Sequence, residues 1–189
     1  VQGPVEVTLE DNVIDGLAPT DRIARIGIQL AYGVSGQVAR NRVHGNAYLW
    51  DGDPKRAATG SGILVVGGEY YGPGRELCHD LSIEDNELEE NDVGVDLSQA
   101  VDDFFTAPAV SQNIQVLGNT LTKAELTNTS YQAAIYDNGT ANLISRNRIT
   151  GDGYNGELHE NAIAVEVETQ GPDRQVGFVP PARTLEAET

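Results

Sequence analysis

Apolar residues in this chain recur with a period of two in short runs, and one phrase built from such runs repeats along its length. The fullest copy is Leu81-Ser-Ile-Glu-Asp-Asn86-Glu-Leu-Glu-Glu-Asn-Asp-Val-Gly94-Val-Asp-Leu97. Its first half reads apolar, any, any, Asn, any, apolar. That half returns as Leu9-Glu-Asp-Asn12-Val-Ile14, Val38-Ala-Arg-Asn41-Arg-Val43, Val116-Leu-Gly-Asn119-Thr-Leu121 and Ile144-Ser-Arg-Asn147-Arg-Ile149. The second half is a small residue followed by alternating apolar positions: Gly27-Ile28-Gln-Leu30, Gly62-Ile63-Leu-Val65, Gly94-Val95-Asp-Leu97, Ala134-Ile135-Tyr136 and Ala162-Ile163-Ala-Val165. Period-two alternation argues strand, and no window sustains the i, i+3, i+4, i+7 spacing of a helix. The halves strictly alternate, which predicts five turns of one repeating unit. About 21 residues suffice for a coil of three short strands and three turns at roughly 3.3 Å per strand residue, so anything longer is inserted loop. The expected fold is an all-β parallel β-helix of five coils.

On these motifs the chain, over residues 5–167, resembles the right-handed parallel β-helix repeat of the pectate-lyase-like superfamily. The resemblance implies that Asn12, Asn41, Asn86, Asn119 and Asn147 stack in one turn column, each amide bonding the next coil. Asparagine tolerates left-handed turn conformations, and amides stacked about 4.8 Å apart satisfy one another. In-register stacking would place Arg40 between Asp11 and Asp85, and Arg42 beside Glu87, as exposed charge ladders. Residues 1–169 read as the solenoid domain. The tail 170–189, with Pro180-Pro181, breaks the pattern and reads as a linker or end cap.

The long insertions, 44–60, 67–79 and 98–112, and the shorter ones at 122–132 and 150–161, all flank the small-residue strand. The link through the asparagine never varies in length. Loops therefore crowd one face, and loop-rich faces of rigid scaffolds carry function. In the resembling superfamily the groove lies along that strand. Its outward positions are Gln29, Leu64, Asp96, Tyr136 and Ala164, extended by Glu166. The catalytic candidates are Asp96, Tyr136, Asp137 and His159, with Asp92, Asp102 and Asp103 in neighbouring turns. A carboxylate near Tyr or His can act as general acid or base, and paired carboxylates serve glycoside hydrolysis; acidic surface residues are also abundant here for solvation alone. Trp50, Tyr70, Tyr71 and Gln29 are the substrate-binding candidates. With Tyr48 the three aromatics could stack on sugar rings, or equally form small loop cores. Asp51-Gly-Asp53 and Asp152-Gly-Tyr-Asn155-Gly-Glu157 put oxygen ligands in glycine turns and could hold Ca²⁺, although neither fits the EF-hand spacing and both also read as ordinary turns. Asn128-Thr-Ser130 and Asn138-Gly-Thr140 match the short glycosylation pattern.

Charge narrows the partners. The 29 acidic residues against 12 basic give a formal net charge of −17, which disfavours nucleic acid. No apolar run is long enough to cross a membrane as a helix. An acidic polysaccharide would need Ca²⁺ or a local basic cluster, and a solvating acidic surface suits an extracellular or cell-surface setting. The chain lacks Met and opens within a few residues of a strand, as an excised part of a longer protein would, and solenoid ends can pair with another copy. The resemblance implies a polysaccharide or oligosaccharide partner and a lyase, glycoside hydrolase or uronate epimerase activity. The chain holds no Gly-His-Gly, Asn-Thr-Asp or Asp-Pro-His signature, so a non-catalytic structural, adhesive or carbohydrate-binding module stands beside the enzyme as an expectation.

Overall fold

A computed structural model describes residues 1–17, 19–50, 52–53, 56–167 and 177–178. The first coil consists of β1 (Glu6–Glu10), β2 (Val13–Asp15) and β3 (Ile26–Ala31). The second is β4 (Ser35–Ala39), β5 (Arg42–His44) and β6 (Ser61–Gly67), and the third β7 (Leu81–Glu84), β8 (Glu87–Glu89) and β9 (Val93–Gln99). The fourth is β10 (Gln115–Leu117), β11 (Thr120–Thr122) and β12 (Gln132–Asp137), and the fifth β13 (Leu143–Ser145), β14 (Arg148–Thr150) and β15 (Ala162–Val167). Corresponding strands pair in parallel into three sheets, β1-β4-β7-β10-β13, β2-β5-β8-β11-β14 and β3-β6-β9-β12-β15, forming the expected five-turn β-solenoid. A sixth strand, β16 (Gly177–Phe178), pairs antiparallel with β15. The rest of the 170–189 tail lies outside the described residues.

The repeating apolar positions become columns. Leu9, Val38, Ile83, Val116 and Ile144 stand in register along the first sheet, and Ile14, Val43, Leu88, Leu121 and Ile149 along the second. Ile28, Ile63, Val95, Ile135 and Val165 complete the core from the third. Members of the middle coils are fully buried, whereas Leu9, Ile14, Ile144, Ile149 and Val165 at the two ends are only partly so. The first two columns thus lose cover at both ends and the third at its last coil, whereas Ile28 at the start of the third stays buried. The small residues have a steric cause: a Cβ on Gly94 would stand 2.4 Å from Leu121 Cδ2 and 2.5 Å from the Ala134 carbonyl oxygen, and one on Gly62 would stand 2.8 Å from the Gly94 oxygen.

The asparagine column forms as expected. Asn12 Nδ2 donates to Asn41 Oδ1 (2.9 Å), Asn41 to Asn86 (3.0 Å), Asn86 to Asn119 (2.9 Å) and Asn119 to Asn147 (3.0 Å). Each acceptor oxygen also takes the backbone N–H of the preceding coil's asparagine. One expectation is corrected. The left-handed residue is the one before each asparagine: Asp11, Arg40, Asp85, Gly118 and Arg146 have φ of 58°, 54°, 54°, 64° and 58°. Turning the chain there aims the following amide along the solenoid axis, where its neighbours lie. A second, shorter amide pair joins Asn46 Nδ2 to Asn91 Oδ1 at 2.9 Å.

The charge ladders are also rearranged. Arg42 approaches Glu87 at 4.0 Å but bonds Glu89 at 2.9 Å. Arg40 does not bridge Asp11 and Asp85. Its guanidinium turns to the first coil, where Asp11 (3.0 Å) and Glu10 (2.9 Å) offer two carboxylates to one planar fork.

Candidate functional site

The link between the first and second strands of every coil is two residues, so all inserted loops border the third sheet. On its outer face Gln29, Leu64, Asp96, Tyr136 and Glu166 lie side by side, one per coil. The fifth member is therefore Glu166. Ala164, expected in that row, is buried two residues earlier in β15.

Asp96 occupies the middle of the row, partly covered. Ser61 Oγ donates to its Oδ2 at 3.1 Å and Ser98 Oγ to its Oδ1 at 2.5 Å. Burial pushes its carboxyl above the ordinary aspartate value, outweighing the two serine hydroxyls, which pull it down. On one flank a single 3₁₀ turn, Glu69–Tyr71, follows β6. It brings Tyr71 beside Asp96 and Ser98, and burial first, then the Asp96 charge, push the Tyr71 phenol up to about 12. Tyr70 packs edge-on against Tyr71 at 4.8 Å and, tilted by 47°, against Phe105 at 4.5 Å between ring centroids. Beyond them Arg75 stands over the Tyr32 ring at 4.3 Å. On the other flank Tyr131 and Tyr136 meet at right angles, 6.4 Å apart. Tyr131 Oη donates to Glu166 Oε2 at 2.6 Å. Burial, followed by the Glu166 hydrogen bond, raises the Tyr131 phenol well beyond its usual range.

The fold thus brings Asp96, Tyr136 and Tyr71 to one face, with Gln29 exposed two coils from Asp96 and Tyr70 at the margin. It does not bring the other candidates to the Asp96 carboxyl. Asp137 follows the outward Tyr136 and so points inward; it is buried, and its Oδ1 accepts from Gly139 N (2.7 Å) and Asn142 Nδ2 (2.9 Å), closing a loop. Burial raises its carboxyl too. His159 lies in the turn entering β15, its backbone N–H bonded to Asn155 O. Asp102 Oδ1 caps its own exposed turn through Phe104 N and Thr106 N. Trp50, whose Nε1 donates to Asp53 O at 3.0 Å, belongs to the loop that enters β6, whereas Tyr70 and Tyr71 belong to the loop that leaves it. Tyr48 is buried, its N–H bonded to Asp92. The four aromatics therefore do not form one platform.

Tyr131 and the two serines were not among the candidates. Ser98 could have been found, since it follows Asp96 at the same outward phase of β9. Tyr131 precedes its strand and carries no periodic signal. Among the described residues no group of three or more His, Cys, Asp or Glu side chains could hold a metal ion. In the 152–157 turn Asn155 Oδ1 accepts from Glu157 N, an ordinary turn contact, and Asp51 lies outside the described residues. Asn128 and Asn138 are fully buried, so neither offers its amide to a glycan. No family model, no curated protein and no solved structure matches this chain.

Proposed function

We propose that the outer face of the third sheet binds a neutral polysaccharide, with Asp96 and Glu166 as its acid pair. The observation that carries this reading is a half-covered carboxyl, its proton affinity raised by burial, set between two aromatic groups, Tyr70/Tyr71/Phe105 on one side and Tyr131/Tyr136 on the other. Aromatic faces pack on the C–H faces of sugar rings, while serine hydroxyls and carboxyls bond the rim. Neutral sugars fit better than uronates, because the chain carries a net charge of −17 and the row Gln29, Leu64, Asp96, Tyr136, Glu166 has no cation. An extracellular or cell-surface setting suits such a partner.

Asp96 and Glu166 are two strands apart, about 10 Å between backbones at roughly 4.8 Å per strand. That is near the separation of about 6.5–9.5 Å at which a water fits between an acid and a base for inverting glycoside hydrolysis. Asp96, whose proton affinity burial raises, would be the acid and Glu166 the base. A binding module without turnover is the second reading, favoured by the Tyr131 hydroxyl that already occupies Glu166.

A panel of neutral and acidic polysaccharides, read for binding, new reducing ends and unsaturated uronates, tests both. Binding to neutral chains with new reducing ends, lost in Asp96→Asn while binding persists, establishes the hydrolase. Binding that disappears in Tyr136→Ala, with no turnover, establishes the module. A folded chain that binds nothing in the panel sinks both readings.

A further inference from the structure

Behind the solenoid face just described, two ionisable side chains are sealed together. Asp92, between β8 and β9, and Lys123, directly after β11, are both fully buried, with Lys123 Nζ 3.7 Å from Asp92 Oδ1. Neither of these two atoms has a hydrogen-bond partner. The other carboxyl oxygen is crowded: Asp92 Oδ2 accepts from Tyr48 N (2.7 Å), Gly60 N (3.0 Å) and Asn128 Nδ2 (3.2 Å). Around them Tyr154 Oη donates to Asn91 O, and Glu90 Oε1 accepts from Ala124 N. A buried ammonium without hydrogen bonds is among the most costly groups a fold can hold.

We propose that Lys123 and Asp92 condense into an intramolecular amide, a covalent cross-link between the third and fourth coils. The polar contacts are those of an acyl-transfer site. Three donors converge on Oδ2, where negative charge develops when an amine adds to the carboxyl carbon. Oδ1, the leaving oxygen, is unencumbered and faces the amine. Burial favours the neutral partners the reaction requires, lowering the Lys123 amine and raising the Asp92 carboxyl. The neutral pair has the same number of protons as the ion pair, so no outside acid or base is consumed.

In the step itself Lys123 Nζ bonds Asp92 Cγ, giving a tetrahedral centre with its charge on Oδ2. A proton passes from Nζ to the Oδ1 hydroxyl, the Cγ–Oδ1 bond breaks, and Oδ1 departs as water. The Oδ2 carbonyl reforms as water leaves, and the second Nζ proton stays on the nitrogen as the amide N–H. Amine and carboxylic acid become amide and water, with no oxidant, reductant or activated donor. The product removes the unpartnered Oδ1 and turns a buried ammonium into a neutral amide N–H, while Oδ2 keeps its three donors as an amide oxygen.

The test is mass spectrometry of the full chain, folded, held until its mass is constant, then unfolded and digested. The expected mass is one water below that of the sequence. Trypsin should fail to cleave after Lys123, and a branched peptide should join the segments containing residues 92 and 123. Lys123→Arg should restore the full mass. The sequence mass with normal cleavage after Lys123 overturns the proposal, as does a water loss that fragmentation places at another residue. Both results come from the unsubstituted protein, so a variant that fails to fold leaves the test intact.

Discussion

At the scale of single residues, position along the stack sets the effect of a substitution. Asn86 sits mid-column. Its oxygen accepts from Asn41 N and Nδ2, and its amide donates to Val38 O and Asn119 Oδ1. Asn86→Ala would strand several buried groups, and a loss of about 3 kcal/mol in chemical denaturation is expected. Asn12 is exposed at the end of the same column, so Asn12→Ala should cost under about 1 kcal/mol. Equal effects would mean that the amides do not act as a buried column. Asp96 behaves oppositely. Its folded proton affinity exceeds that of an unfolded aspartate, so its contribution is fully favourable below the ordinary value of 3.8 and is lost as pH rises through the folded value. At neutral pH Asp96→Asn should therefore leave the fold as stable or more so, by about 1 kcal/mol; a hydrolase working at this face would lose its turnover in the same variant. As a general acid Asp96 also predicts a rate that declines as pH climbs through its raised value, measurable as the basic limb of a pH–rate profile.

Among the elements, the strands and their corners were legible because their causes are local. Leu81/Ile83 and Val93/Val95/Leu97 declare period two within a few residues, and the unvarying step through each asparagine fixes the register of two whole sheets. The Asn46–Asn91 pair was written as well, five residues after Asn41 and Asn86, but it recurs only once. The site was legible only in part. Asp96 and Tyr136 fall on one face by alternation, whereas Tyr131, Asp92 and Lys123 meet their partners across coils, through insertions whose paths no short pattern records. The small-residue strand offers a direct check. Gly94→Ala should cost about 2–3 kcal/mol, because its Cβ would collide with Leu121 and a backbone carbonyl. Gly52, in an open loop with nothing within 4 Å, should lose only about 1 kcal/mol, from its φ of +90°.

For the whole molecule, the core is a stack of layers in which each coil touches mainly the next. The partly buried end columns predict a gradient of amide hydrogen exchange: slowest at Ile83, Val95 and Leu97, faster toward Leu9 and Ile149. Uniform protection would indicate one cooperative block. The gradient should be compressed on the side where Lys123 and Asp92 lie if those residues are joined. The unequal spacing of the column has a mechanical counterpart. Successive ladder asparagines are 29, 45, 33 and 28 residues apart, and their side-chain bonds run along the axis. Pulled by its two ends, the chain loads those bonds in series. It should lengthen in discrete, unequal jumps whose sizes identify which coil has let go.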